Sequence, residues 1–387
     1  MVNIMKKLYA NYDGLDVAFQ CRLPLKIREQ LAEAKAEALE DKKALAIALP
    51  GSGKSIEVQP HGGPGGYLFA FSTGKDGEMW FVKNSDKKKD WNVYVSVSSL
   101  NLALNGFEHV KNKLKNMLEL MGAEGEGRYE PVTNTFTEEP LESISRFDFC
   151  IDYLSNTFEP DANQFITHSR TTKKSIAVTQ VDRGKEVESI TVGKMPNRQV
   201  TIYNKTAEIK VHNKLYWYNL WGIQDPEQLD GKVWRIEVRA GKEELKKWNV
   251  KRFDQLEQLA GNIVESTLKG LKYTEEDPYD SNRSRWPLHP MWASACQAVH
   301  QALQNNYSSG AKRLDILHGL LTEKIERYEK GIMGNLISYS ALTASEFEAV
   351  PEALDKLVQA LKDQLFINHN ELRDKFIKAQ LRCMMLE

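Results

Sequence analysis

Residues 146–152 read RFDFCID, an alternation of apolar and polar side chains. Because successive side chains of a strand point to opposite faces, this period of two predicts a strand with one buried face. Phe147, Phe149 and Ile151 would pack into a core, while Asp148 and Asp152 would share the opposite face. The fold is built outward from this strand, because its pattern recurs later in the chain.

The order of predicted elements around this strand occurs twice. The first half is predicted to form a strand, a helix, three strands and a helix over residues 12–23, 25–43, 67–72, 79–83, 92–98 and 108–120. The second half repeats that order over residues 144–152, 161–168, 174–179, 189–192, 199–203 and 206–220. A further strand at 233–238 and a helix at 253–269 extend the second copy. We therefore predict an α+β fold, in which a duplicated strand-helix-three-strand-helix unit forms curved antiparallel sheets with helices on one face.

Residues from 290 onward favour helices almost throughout. Four candidate helices cover residues 291–305, 312–328, 349–365 and 370–384. The pattern predicts three domains: a first α+β copy over 1–122, a second copy over 123–288 and a C-terminal helical domain over 289–387.

Charge, cysteine content and hydropathy exclude several classes of protein. The 52 basic and 53 acidic residues give a net charge of −1, so no global positive field attracts nucleic acid. The four cysteines lie far apart without a Cys-x-x-Cys pair, which argues against zinc ribbons and disulfide frameworks. No apolar run approaches the roughly 20 residues of a membrane span, and no signal-peptide core is evident. We expect a soluble, cytoplasmic protein.

The segment Gly53-Lys54-Ser55 imitates the end of a phosphate-binding loop. Such a loop needs a helix after its last hydroxyl, because the backbone N–H groups of that helix bind the phosphates. The proline- and glycine-rich residues 60–66 cannot propagate a helix, and Ala48 replaces the first glycine of the full motif. We interpret the segment as a turn, and we expect no ATP hydrolysis.

Three strands of the second half share one pattern, an apolar face opposite a charged one. The polar faces carry Arg146, Asp148 and Asp152 on the first strand, Thr201, Tyr203 and Lys205 on the second, and Arg235, Glu237 and Arg239 on the third. A solvated outer face would explain any one of these strands. Together the three polar faces carry three carboxylates, a tyrosine, a lysine and three arginines.

This set of residues suits one chemistry. Asp148, Asp152 and Glu237 would hold a hard divalent cation, Mg²⁺ or Mn²⁺, which would polarise a phosphodiester. Tyr203 would attack phosphorus and become joined to DNA, and Lys205 would favour its phenolate. We expect Asp152→Ala and Glu237→Ala each to abolish nicking while leaving the fold intact.

Several motifs of the second half also resemble the replication initiation factor family, which comprises rolling-circle initiators of small plasmids and phages and related conjugative-element relaxases. They are residues 146–152, 190–193, 200–205 with Glu208 following, 234–239 and 282–287, within a stretch from about 140 to 295. The resemblance implies a metal-dependent nicking and closing enzyme with its nucleophile in the Tyr-x-Lys motif, here Tyr203 with Lys205. Arg235 and Arg239 complete the predicted catalytic residues, and the family's metal site carries over to Asp148, Asp152 and Glu237. The expected function is initiation of rolling-circle replication or conjugative transfer through a 5′-phosphotyrosine.

Two rival functions remain open. One is a non-catalytic origin-binding protein whose charged strands only hold phosphates, and the other is the ATP-using enzyme suggested by residues 53–55. Nicking enzymes with a histidine-hydrophobe-histidine metal site are disfavoured, because the eight histidines include no such pair. Expected partners are DNA, as an origin hairpin or single-stranded nick region, a host helicase and a second copy of the chain, the last two at the helical domain.

The first copy is predicted to have a structural or DNA-cradling role. Its strand at 92–96 has a tyrosine, Tyr94, but no lysine two residues beyond. Lys83 and the lysines at 87–89, with Trp80 and Trp91 nearby, would suit phosphate contacts and base stacking, although tryptophans on short strands also serve as core residues.

Overall fold

The computed structural model describes residues 5–49, 54–130, 135–167, 178–183, 186–303, 313–343 and 346–384. Strands in this part of the chain are β1 (Met5–Gln20), β2 (Leu45–Ala48), β3 (Ser55–Val58), β4 (Phe69–Ser72), β5 (Glu78–Val82), β6 (Trp91–Val97), β7 (Arg128–Glu130), β8 (Thr135–Thr137), β9 (Leu141–Ser155), β10 (Phe165–Thr167), β11 (Val178–Arg183), β12 (Glu186–Gly193), β13 (Arg198–Asn204), β14 (Lys232–Gly241) and β15 (Leu271–Tyr273). Helices are α1 (Leu25–Glu40), α2 (Ser99–Asn105), α3 (Phe107–Leu120), α4 (Lys205–Val211), α5 (Tyr216–Leu220), α6 (Lys242–Lys247), α7 (Phe253–Gly270), α8 (Pro290–Leu303), α9 (Arg313–Thr343), α10 (Val350–Ile367) and α11 (His369–Met384). The fold is α+β, as predicted.

The two predicted copies contribute to one continuous antiparallel sheet. Its order is β11-β12-β13-β14-β9-β1-β6-β5-β4-β3-β2, and β1 pairs with β9 along almost its whole length. The strands on the two sides of this central pair correspond in position. Strands β6 and then β5 follow β1, as β14 and then β13 follow β9. Sheet position therefore makes β5, and not the Tyr94 strand β6, the counterpart of the Tyr203 strand β13.

The predicted alternation places the core as expected. Phe147, Phe149 and Ile151 on β9 are fully buried, together with Val200 and Ile202 on β13. Helices α3 and α7 cover this face through Phe107 and Phe253, whose ring centroids lie 6.1 Å apart. Short helices also cover part of the opposite face in the second copy, so the expectation of helices on one face only is wrong. The polar sides of β9 and β14 are consequently buried as well.

Some local predictions are wrong, because side-chain packing and strand pairing override the sequence pattern at those positions. The helix predicted at 161–168 is a short 3₁₀ turn, Ala162–Gln164, followed by β10, which pairs with β15. Its Phe165 is buried, so the packing of this aromatic side chain and the pairing with β15 outweigh helix propensity here. The strand predicted at 174–179 lies mostly outside the described residues, as do three basic residues at or just before its start, Arg170, Lys173 and Lys174. Ser55 begins strand β3 where a phosphate loop would begin a helix.

The chain divides into two compact units, Met1–Ala311 and Lys312–Glu387. The first includes α8, whose Trp292 indole donates to the carbonyl of Leu268 on α7 at 3.0 Å. In the second, Leu336 of α9 and Ala353 of α10 are buried. The boundaries predicted at 122 and 288 remain predictions. Among the described helices, none is long and apolar enough to cross a membrane.

Candidate active site

Strand register brings the predicted polar residues to neighbouring positions on one face of the sheet. Arg235 on β14 lies opposite both Tyr203 on β13 and Asp152 on β9, and Arg239 lies opposite Asp148. Glu237 sits between the two arginines on the same face. The polar residues form two adjoining clusters, one centred on Arg235 and one on Arg239.

Arg235 is the centre of a fully buried ion-pair cluster. Its Nε and Nη2 donate to the two Asp152 carboxylate oxygens at 2.7 and 2.8 Å, and both side chains are 0% exposed. The Trp221 indole donates to the same carboxylate at 2.8 Å. Trp217 of α5 stacks on the guanidinium, with Arg235 Cζ 4.1 Å from the ring centroid. Asp152 thus acts as the buried partner of Arg235.

Asp13 completes this cluster, and the sequence analysis did not identify it. Arg235 Nη1 donates to Asp13 Oδ1 at 2.7 Å. Burial acts to raise the pKa of Asp13, but Arg235 and Lys205 hold it below its ordinary value. The first copy was expected to lack chemistry, yet pairing of β1 with β9 delivers its acid to the second copy's site. The acids at 13 and 16 were visible in the sequence, but not the strand pairing that places them.

The second cluster joins Asp148, Glu237, Arg146 and Arg239. Arg146 binds Asp148 through two N–H groups, Arg239 Nε donates to Glu237, and the same nitrogen lies 3.8 Å from Asp148 Oδ2. Gly14 backs onto this site, since a Cβ there would lie only 2.8 Å from Asp148 Oδ2. Burial raises the pKa of Asp148 to about 6; Arg146 opposes the rise and Glu237 adds to it.

The carboxylates only partly fit a divalent metal. In the described part of the chain, no group of three or more histidine, cysteine, aspartate or glutamate side chains has the arrangement of a metal site. The negative charge of Glu237 acts to raise the pKa of Asp148, and a bound cation would relieve this repulsion. Asp152 does not join them, because Arg235 and Trp221 already occupy its oxygens. The predicted three-carboxylate set is therefore reduced to a pair.

Tyr203 lines a polar cleft of about 520 Å³ on the same face. Glu208, His212, Glu237 and Arg239 also line it. The Tyr203 hydroxyl makes no hydrogen bond to another described residue. Burial raises the pKa of its phenol well above the ordinary 10.0, while Arg235 acts to lower it and Glu237 to raise it. The group is therefore a phenol, and not a phenolate, at neutral pH.

Lys205 lies at the start of a helix, and not on the strand where its role was predicted. The strand ends at Asn204, whose side chain accepts from the Ala207 N–H and begins helix α4, so Lys205 no longer follows strand alternation. Its Nζ is buried, lies 2.7 Å from Glu208 Oε2 and sits 5.6 Å from the Tyr203 ring centroid. Burial lowers the pKa of the Lys205 ammonium, and Arg235 lowers it further. Arg235 is the cation that acts to lower the Tyr203 pKa.

No described protein family and no curated protein matches the chain. Among solved structures, it is similar to one described as a rolling circle replication initiator protein from Geobacillus stearothermophilus. The two are 14% identical, with a TM-score of 0.39, over 78% of this chain and 99% of that one. A likeness of this degree fixes neither the family nor the activity of this chain, so membership of the replication initiation factor family stays a prediction.

The raised pKa of Asp148 predicts a specific pH dependence of stability. Its ordinary pKa is 3.8, so the folded protein gains a proton at Asp148 between about pH 4 and 6 that the unfolded chain lacks. The resulting stability is present below pH 4 and is lost as pH rises through 6. For a shift from 3.8 to about 6, the loss is on the order of 3 kcal/mol for the free energy of unfolding.

Denaturant titrations at several pH values test this, with Asp148→Asn as the variant of matched size. All eight tryptophans lie before residue 312, so their fluorescence reports the first unit alone. From pH 4 to 7 the wild type should lose stability relative to Asp148→Asn. Parallel pH profiles for the two proteins would contradict the raised pKa.

Proposed function

We propose that this chain is a DNA nicking and closing enzyme, which initiates rolling-circle replication or conjugative transfer with Tyr203 as nucleophile. The observation that carries the proposal is the position of Tyr203. Its hydroxyl makes no hydrogen bond to another described residue, and Glu237 and Arg239 line the same cleft. Other tyrosines differ: Tyr9, Tyr12, Tyr153 and Tyr273 are buried, and Tyr279 is 97% exposed.

The proposed step needs no nucleotide cofactor, because the phosphorus–oxygen bond that breaks is replaced by the one that forms. Tyr203 Oη attacks phosphorus, the bond from phosphorus to the 3′ oxygen breaks, and the phenolic proton is released. The 3′ oxygen leaves as a hydroxyl after taking up a proton, and the 5′ phosphate stays on Tyr203. Attack by a 3′-hydroxyl on the phosphotyrosine reverses the step and reseals the strand. Because the phosphotyrosine conserves the energy of the diester, no ATP is required.

The arginines would have different parts in this reaction. Arg239 is about one-third exposed and lines the cleft, so it is placed to contact the non-bridging phosphate oxygens. Arg235 has no solvent-exposed surface. Its positive charge would act on the Tyr203 hydroxyl from the buried side of the cleft. We therefore assign Arg235 as a positioning residue, and its own orientation depends on Asp152 and Asp13.

We propose Asp148 and Glu237 as the residues that hold Mg²⁺ or Mn²⁺. When bound, the cation would polarise the phosphodiester and take up charge developing on phosphate oxygens. Arg146 and Arg239 balance the two carboxylates in this structure, so one of the arginines would turn towards the phosphate when the cation binds. Asp152, one of the three carboxylates of the predicted metal site, is proposed instead as the anchor of Arg235.

Supercoiled DNA carrying the element's origin tests the activity directly. We expect conversion to open circles in Mg²⁺ or Mn²⁺ and loss of conversion in excess chelator, with Glu237→Gln lowering the nicking rate by about 10²-fold or more. Full activity in chelator would contradict the metal proposal. A protein that binds the origin but never nicks it, with any divalent metal, would favour the non-catalytic DNA-binding alternative.

A host helicase and a second copy of the chain remain proposed partners of the C-terminal unit. Its helices expose apolar side chains, including Ile332 and Met333 of α9 and Leu361 and Leu365 of α10. Exposed apolar side chains in such numbers are typical of interaction surfaces.

A further inference from the structure

Three aromatic side chains of the first copy form a partly buried cluster on the sheet. Phe81 on β5 and Tyr94 on β6 are directly opposite in register, with ring centroids 5.9 Å apart. Tyr67, in the turn before β4, lies 6.3 Å from Phe81 and 5.8 Å from Tyr94. We call these three residues the aromatic platform. Trp80, which the sequence offered for base stacking, is instead fully buried and stacks on Phe71.

The aromatic platform lies on the same sheet face as the candidate active site. Trp80, Val82, Val93 and Val95 point into the core, so Phe81 and Tyr94 occupy the opposite face. Two residues beyond Tyr94, Ser96 donates to Asp16 at 2.7 Å, and Asp16 lies 3.8 Å from Arg146. Arg146 in turn binds Asp148. A chain of contacting polar side chains therefore connects the platform to the cluster around Arg239.

Lysine side chains border the platform. The β5–β6 connection takes the sheet position of the α4–α5 connection in the second copy, and it carries four lysines, Lys83, Lys87, Lys88 and Lys89. Lys88 pairs with Glu124 at 3.0 Å. Within the part of the chain that the structure describes, the other three form no ion pair. Lys83 Nζ lies 4.9 Å from the Tyr67 ring centroid, and Trp91, 36% exposed, begins the next strand.

We propose that the aromatic platform binds single-stranded DNA, with bases stacked on Tyr67, Phe81 and Tyr94 and phosphates against Lys83, Lys87 and Lys89. Flat aromatic rings beside free cations match the alternation of base and phosphate in an unpaired strand, whereas a duplex hides its base faces. The choice of DNA rests on the proposed function. Along β1 the platform is level with Ala18 and Tyr203 is level with Tyr9. This offset is about 30 Å along the strands at about 3.3 Å per residue, and the four strand spacings between β13 and β6 add about 20 Å across the sheet. The separation is therefore about 35 Å, which one strand of about 11 nucleotides at about 3.4 Å each would span.

Binding of a fluorescent oligothymidylate of about 20 nucleotides to the full chain, measured in chelator, tests the platform without any chemistry. Tyr67→Leu and Phe81→Leu keep apolar bulk but remove the flat ring, and each should weaken affinity about tenfold. Lys83→Gln should weaken it and reduce the salt-dependence slope by about one ion. Tyr279→Leu, which removes a 97% exposed tyrosine elsewhere, is the control and should bind as the wild type does.

Unchanged affinity and salt slope in Tyr67→Leu, Phe81→Leu and Lys83→Gln would overturn the proposal, whether or not the protein nicks DNA. Weakened binding with no nicking by the wild type would retain the platform and reject the proposed enzyme activity, so the two failures are distinguishable. Photo-cross-linking of the wild-type protein to an oligonucleotide containing 5-iododeoxyuridine avoids any folding defect of the variants. Adducts at Tyr67, Phe81 or Tyr94 would support the proposal, and adducts confined to other residues would overturn it.

Discussion

Tyr203→Phe should lower the rate of origin nicking by at least about 10⁴-fold and remove the covalent protein–DNA adduct. The substitution deletes one oxygen, the proposed nucleophile. That hydroxyl makes no hydrogen bond to another described residue, so its loss leaves no buried partner unsatisfied. The ring remains to pack against Lys205, whose Nζ lies 5.6 Å from the ring centroid. Stability and DNA affinity should therefore stay close to those of the wild type.

Tyr216→Phe is the matched control, because Tyr216 is a buried aromatic residue of α5. It should nick at close to the wild-type rate. Comparable loss in both variants, or substantial nicking by Tyr203→Phe, would contradict the assignment. Since burial raises the Tyr203 pKa well above 10.0, the wild-type rate should also rise with pH between about 7 and 9, as the small phenolate fraction grows.

Asp152→Ala should lower the free energy of unfolding of the first unit by about 3–5 kcal/mol. The variant leaves the Arg235 guanidinium fully buried with Asp13 as its remaining carboxylate, and it removes the acceptor of the Trp221 indole. This prediction replaces the expectation that Asp152→Ala would leave the fold intact, and the expected loss of nicking stays a prediction. A buried charge that loses its bidentate partner is among the few single changes with so large a cost.

Glu186→Ala is the control for the loss of an ion pair as such. Glu186 pairs with Lys232 at 2.7 Å, but both side chains are exposed, so its removal should cost at most about 1 kcal/mol. Chemical denaturation followed by tryptophan fluorescence measures both variants in the same unit. Equal, small losses would show that the Arg235 cluster contributes little to stability.

Strand alternation predicted the faces of the sheet correctly because the period of two is a local property. It placed Phe147 in the core and Asp148 on the opposite face without knowledge of the fold. It could not show that the opposite face is itself covered, because the stacking of Trp217 on Arg235 depends on a connection that folds back over the strand. A charged face on a single strand is compatible with solvent, and only tertiary structure shows it to be buried.

Non-local pairing accounts for the other gaps. Asp13 lies 222 residues from Arg235 in sequence, and it reaches the site because β1 and β9 pair at the centre of the sheet. Extending alternation to Lys205 failed, since the strand stops one residue earlier at an asparagine cap. Trp80 and Phe81 show the limit in the first copy. Adjacent aromatics on a strand must face opposite ways, and composition does not say which of them is buried.

The identity of the residue that becomes joined to DNA tests the account most directly. After reaction with an origin oligonucleotide, nuclease and trypsin digestion would release the heptapeptide of residues 199–205, which lies between Arg198 and the cleavage after Lys205 and contains one tyrosine. This peptide should carry the nucleotide as a phosphotyrosine at Tyr203, with the DNA attached through its 5′ end. A nucleotide on a peptide that contains any other tyrosine would contradict it.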